Sequence, residues 1–108
     1  MCNGKIYYEL LEKKESDKRK DIAIIRLEQV YPLPMKTLNK ILKRYRNARE
    51  IIWVQEEPEN FGVLPYLLRE IDMENLDYVA REESATPATG FHRQHVIEQN
   101  EIIEQAFK

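Results

Sequence analysis

Glu56 and Glu57 are the first residues whose type and position suggest chemistry, because paired carboxylates can divide general acid and base work. Adjacent residues on an extended segment point to opposite faces, so these two cannot converge on one substrate without a bulge. Pro58 further biases Glu57 towards extended geometry. They are expected at the carboxyl end of a strand, where α/β sheets place binding crevices, as turn or interface residues rather than catalysts. His92 and His95 are close enough on one helix to share a metal, but only Glu98 stands nearby as a third donor. Surface or domain-contact histidines fit that pattern better than a metal site. Asn3-Gly4-Lys5 falls at an expected strand-to-helix junction. Helix N-termini present unpaired N–H groups, so an anion could sit there with Lys5 adding charge. One glycine makes neither a P-loop nor a dinucleotide fingerprint, and a plain helix start fits equally. Ser16 and Ser84 are the only serines, neither in a nucleophile elbow, and Cys2 has no evident activating partner. No nucleophile, oxyanion hole or cofactor cradle is expected here.

The elements that would position these residues follow from periodicity. Residues 22–27 form a β-branched apolar run of the kind expected for a strand buried on both faces. Pro32 and Pro34 end it and open a helix whose stripe is Leu38, Ile41, Leu42 and Tyr45. Residues 51–54 are a second buried-strand run, bounded by an acidic turn over 56–60. Leu64, Leu67, Leu68 and Ile71 repeat the helical spacing, residues 76–80 read as a weaker third strand, and residues 84–90 as a loop. A closing helix over 91–107 carries Val96, Ile103 and Phe107 on one side. Strands alternating with helices imply crossover connections, and so an α/β domain: three layers around a mostly parallel sheet. Ile6, Tyr7, Leu10 and Leu11 add a first helix, yet only Met1 and Cys2 precede its turn. A domain truncated within or just after its first strand is expected; a domain that opens on a helix is the simpler alternative.

The 108 residues suit one domain, here 1–108, with room for a real core. Lys and Arg number 17 against 19 Asp and Glu, a net charge of −2, which excludes a nucleic-acid binder working through a basic field. The concentrated charge run is 13–21, with eight charged positions of nine; Glu15, Asp17 and Asp21 dilute it as a basic docking patch, and a solvated helix end is the plainer reading. One cysteine excludes an intrachain disulfide framework and points to a reducing compartment, expected to be the cytoplasm. No apolar run is long enough for a membrane helix.

Three strings in register carry a more specific signal: Gly4-Lys5-Ile6-Tyr7-Tyr8, Arg26-Leu27-Glu28-Gln29-Val30-Tyr31-Pro32-Leu33-Pro34 and Trp53-Val54-Gln55-Glu56-Glu57-Pro58-Glu59-Asn60-Phe61-Gly62. Together with Arg81, Ser84, Pro87-Ala88, Gly90, His95, Glu98 and Gln99, they resemble the C-terminal domain of the thiamine-diphosphate-dependent 2-oxoglutarate dehydrogenases. Two positions depart from that family: Asn3 stands where a serine is usual, and Val63-Leu64 follow Gly62 where an aromatic is common. The resemblance implies a transketolase C-terminal-domain-like fold that buttresses a homodimer. It implies a parent enzyme that uses thiamine diphosphate and magnesium, held by two preceding domains. That parent would decarboxylate 2-oxoglutarate and pass the succinyl group to the lipoyl arm of the complex's acyltransferase, leaving this domain no catalytic residues. Some relatives bind an acyl-CoA or adenine-nucleotide effector against this domain, and Lys5, Gln55 and Arg81 are the candidate contacts here. Each also has an ordinary reading: Lys5 solvated, Gln55 capping a turn, Arg81 pairing Glu82 or Glu83. A flavodoxin-like or receiver-like binding module is the competing function, though Asp21, Asp72 and Asp77 fall at no expected strand C-terminus. A protein-interaction domain is the third, and exposed Tyr7, Tyr31 or Phe61 would favour it.

Overall fold

Gly4 adopts φ +80°, a conformation an L side chain resists, and so turns the chain from residues 1–3 into helix α1 (Ile6–Ser16). The computed structural model describes residues 1–71, 75–85 and 92–108, with the backbone alone for His92. Among these, α2 (Met35–Arg44), β1 (Ile51–Pro58), α3 (Leu64–Glu70), β2 (Leu76–Arg81) and α4 (His92–Ala106) follow in order. Pro34 precedes α2 and Pro65 lies in the first turn of α3, where the missing N–H breaks no helical bond.

Strands β1 and β2 pair in parallel from Ile51–Leu76 to Val54–Val79, and the register shifts between Val54 and Pro58. On the other edge of β1, Cys2 bridges in parallel to both Val54 and Arg26. The Val54 N–H donates to the Met1 carbonyl (2.8 Å), Leu27 N–H to the Cys2 carbonyl (2.8 Å) and Cys2 N–H to the Ile25 carbonyl (3.0 Å). The expected strand over 22–27 is thus a single bridge at Arg26 rather than a ladder, because the segment beside it offers only Cys2 as a partner.

Alternation along β1 sorts the core. Val54 and the half-buried Ile52 pack with Cys2, Ile6, Leu10, Ile102, Ile103 and Phe107, joining α1 to α4. Trp53, fully buried, packs with Leu27, Leu38, Leu64, Leu67 and Ile71, joining α2 to α3. The outermost member of several apolar stripes stays outside: Tyr45, Leu68 and Val96 are all exposed. For Val96 this corrects the expected packing, since α1 reaches only the later turns of α4, through Glu9 with Gln99 and Lys13 with Glu104. Tyr31 is 82% exposed, whereas Tyr7 and Phe61 are half-buried.

Glu28 ties the Arg26 segment to the start of α1. Its carboxylate accepts the Gly4 N–H (3.1 Å) and pairs with the Arg26 guanidinium, which also stacks over the Tyr7 and Tyr8 rings. The Gly4 N–H first, and then Arg26, hold this carboxyl below its ordinary value near 4.5. A carboxyl with a lowered folded value stabilises the protein above its unfolded pKa and loses that contribution as pH falls through the folded one. Glu28→Gln is therefore expected to melt below wild type at neutral pH, with the gap closing as the pH falls below about 4. Melting curves across that range check it, and a gap that stays constant would refute the role.

Candidate functional site

The register shift after Val54 releases Gln55, Glu56 and Glu57 from the ladder at the carboxyl end of β1. Their side chains leave in different directions, as alternation requires. Gln55 follows Trp53 to the α3 side and is only 3% exposed. Its Oε1 accepts the Trp53 Nε1–H (2.9 Å) and the Leu64 N–H (3.0 Å). Its Nε2 donates to the carbonyls of Pro58 (3.0 Å) and Phe61 (2.8 Å), and more distantly to Glu57 (3.3 Å). One amide thus closes the turn over residues 56–62. Gly62 completes that turn at φ +68°, where an added Cβ would stand 2.9 Å from a Glu57 carboxylate oxygen and 3.3 Å from Gln55 Oε1. Asn60 fastens the same turn to the chain after β2, giving its Nδ2–H to the Ser84 carbonyl and accepting the Ser84 N–H.

Glu56 turns the opposite way and gathers a polar cluster at the start of α1. Lys5 Nζ lies 3.5 Å from its Oε1, and Gln99 Nε2 lies 3.3 Å from its Oε2. Gln99, on α4 and nearly buried, also reaches both Glu9 carboxylate oxygens at 3.2 Å. Arg81, at the end of β2, donates its Nε–H to the Glu56 carbonyl (2.6 Å) and an Nη1–H to Glu98 (3.1 Å). The Arg81 side chain is 12% exposed and that of Lys5 65%. Arg81 therefore pairs with Glu98 on α4 rather than with its sequence neighbours Glu82 or Glu83.

Two of the three sequence candidates, Lys5 and Arg81, thus meet on Glu56, one at its carboxylate and one at its main chain. The third, Gln55, sends its amide to the other side of the strand. The anion position expected at the start of α1 is shared with a carboxylate of the chain itself, since Glu28 already accepts the Gly4 N–H. Asn3, in the place of the usual serine, donates its amide to the Leu27 carbonyl (2.6 Å). Glu9 had no sequence signal beyond standing one helical turn from Lys5. Gln99 had a clearer one, a lone amide on the buried side of α4 just before Ile102 and Ile103.

Cys2 is fully buried, and burial pushes its thiol up, the reverse of what an activated nucleophile needs. No group of three or more His, Cys, Asp or Glu side chains among the described residues is arranged to hold a metal. Pro87-Ala88, Gly90, Asp72 and the side chain of His92 lie outside the described residues. No described helix is long and apolar enough to cross a membrane.

Comparison with known proteins gives a consistent picture. The family described as 2-oxoglutarate dehydrogenase C-terminal matches residues 1–107. The chain is similar to the 2-oxoglutarate dehydrogenase E1 component of Cupriavidus necator, 42% identical over 99% of this chain. The E1 component from Azotobacter vinelandii is 37% identical over 99% of the chain, and the oxoglutarate dehydrogenase of Buchnera aphidicola 42% identical over 98%. In each case the matched part is 12% of the relative, so the chain spans about an eighth of their length.

Proposed function

The chain belongs to the 2-oxoglutarate dehydrogenase C-terminal family, and on that premise we propose that it works as the C-terminal domain of a 2-oxoglutarate dehydrogenase. The parent would decarboxylate 2-oxoglutarate and succinylate the lipoyl group of an acyltransferase partner, as a cytoplasmic homodimer. The observation that carries this reading is the family match along residues 1–107 together with 42% identity to a named E1 component. It disfavours a flavodoxin-like or receiver-like module. Parallel pairing from Arg26 through Cys2 and β1 to β2, with α1 and α4 in one apolar cluster and α2 and α3 in the other, supports a three-layer, transketolase C-terminal-like arrangement.

Thiamine diphosphate and magnesium belong, on this reading, to the parent's preceding domains. The donor set here does not fit them: Glu56, Glu9 and Glu98 already face Lys5, Gln99 and Arg81 of the same chain. We place no catalytic residue in the chain; its role is to support the dimer. Lys5 and Arg81 suit the phosphates of an acyl-CoA or adenine-nucleotide effector, with Gln55 acting through the turn it holds. An incoming phosphate would compete with Glu56 for Lys5, and so exposed an ion pair gives way at little cost.

Exchange of this chain for the matching segment of the Azotobacter vinelandii enzyme tests the proposal. The chimera is expected to decarboxylate 2-oxoglutarate at a rate near that of its parent, and the isolated chain, given thiamine diphosphate and magnesium, not at all. Turnover by the chain alone, or a folded but dead chimera, would sink the reading. Calorimetric titration of acetyl-CoA into the chain tests the effector site separately, and absence of heat at millimolar ligand would retire it.

A further inference from the structure

Helix α2 and the turn after it carry Lys36, Lys40, Lys43, Arg44, Arg46 and Arg49, and no acidic residue stands anywhere from 29 to 49. The stretch thus holds six of the 17 basic residues and none of the 19 acidic ones, leaving eleven against nineteen, a net −8, for the rest of the chain. All six are exposed, and among the described residues none of them enters an ion pair. Elsewhere six of the eleven basic residues, Lys5, Lys13, Arg19, Arg26, Arg69 and Arg81, do, while Lys14, Lys18, Lys20, Arg93 and Lys108 do not among the described residues.

Lys36, Lys40, Lys43 and Arg44 fall at i, i+4, i+7 and i+8, one face of α2, with Leu38, Ile41 and Leu42 on the other. Like charges at such spacings repel and weaken a helix. The helix dipole accounts for Lys43 and Arg44, which stand in the last turn. It does not account for Lys36, whose charge in the first turn opposes the dipole. Among the described residues no carboxylate pairs with this face, which leaves it open to a partner.

We propose that the basic face of α2 docks an acidic protein surface, one that presents aspartate and glutamate side chains along about two helical turns. The stripe from Lys36 to Arg44 is only about 12 Å long at the rise of an α-helix. It sits on a body of 41 × 33 × 21 Å whose remainder is strongly acidic. A nucleic acid or an anionic membrane would run past the stripe and meet that remainder within a few screening lengths of about 8–10 Å. A compact carboxylate patch would not. Three of the four heads are lysines, hydrated point charges suited to steering a carboxylate surface rather than to gripping phosphate bidentately. This face shares no residue with the Lys5–Arg81 cluster, and the proposal stands or falls apart from the functional reading above.

Fluorescence anisotropy of labelled poly-L-glutamate, titrated with the 108-residue chain at low salt, tests it. Wild type is expected to bind. The Lys36→Gln/Lys40→Gln/Lys43→Gln variant should bind about tenfold more weakly, as three modest exposed pairs would give together. The Lys14→Gln/Lys18→Gln/Lys20→Gln variant, with the same change in net charge, should stay within about twofold of wild type. Melting temperature is the control: the α2 variant should melt no lower than wild type, because it sheds like-charge repulsion. The proposal is overturned if wild type ignores polyglutamate, if both variants weaken equally, or if duplex DNA or phosphatidylserine vesicles bind as tightly as polyglutamate. A clearly lower melting temperature for the α2 variant would also overturn it, by showing that these lysines serve the fold.

Discussion

Gln55→Leu is expected to destabilise the chain by about 4 kcal/mol, because two buried donors, Trp53 Nε1–H and Leu64 N–H, lose their only described acceptor. The carbonyls of Pro58 and Phe61 lose their donor in the same step. For a domain of this size, that loss lowers the melting temperature by roughly 15–20 °C. Leucine fills the volume, so the effect reports unmet polar groups rather than a cavity. Gln55→Glu separates the two halves of the amide. A glutamate still accepts from Trp53 and Leu64, but when ionised it turns an oxygen on the Pro58 and Phe61 carbonyls and buries a charge. Burial raises the folded pKa of such a carboxyl, so the variant gains on wild type as the pH falls and the acid takes up its proton. Thermal melts at neutral and acidic pH read both effects. If Gln55→Leu melts within a few degrees of wild type, the amide does not hold the turn.

That turn also shows what the residues could and could not say in advance. Periodicity located α1 to α4 and both strands, because each buries one stripe or one alternating face and the spacing of the apolar residues records it. The parting of Glu56 from Glu57 was equally legible, since it needs only an extended backbone. For Gln55 the turn cap was legible as one of two readings, though not the partners of its amide, and the role of Arg81 was not legible. A glutamine at a strand end reads the same whether its amide faces solvent or five groups of its own chain, and only the packing of Trp53 against α3 decides. Arg81 had acidic neighbours in sequence, yet its partner came from α4, because a strand end projects towards the helix that covers it. Residues 22–27 had the composition of a buried strand, but a strand is defined by its neighbours, and here only Cys2 pairs with it.

The basic face of α2 is hard to read from the sequence for a geometric reason. Its charges are scattered among apolar and neutral residues, so they form no run as dense as the eight charges of 13–21. Folding reverses their standing. In that run, Lys13 meets Asp17 and Glu104, and Arg19 meets Asp21 and caps the Phe107 carbonyl, so much of the charge is spent inside the molecule. The spaced charges of α2 stay together on one exposed side.

Arg81→Met is expected to cost about 2–3 kcal/mol, the second largest loss, since it removes a side chain that ties the ends of β1 and β2 together and to α4. Methionine keeps the aliphatic packing and removes the donors. The Glu56 carbonyl then loses its short bond, while Glu98, partly exposed, is rescued by water, which keeps the cost below that of a fully buried pair. Arg81→Lys distinguishes charge from geometry. One ammonium cannot reach the Glu56 carbonyl and the Glu98 carboxylate in the two directions that a planar guanidinium spans, so lysine should recover less than half of the loss. Full recovery by lysine would mean that only the positive charge matters. Acetyl-CoA titration of the same variants then tells the structural role from the ligand role. If Arg81 also grips an effector phosphate, lysine should weaken binding by more than its small effect on melting explains. If Arg81 serves the fold alone, affinity and stability should fall together.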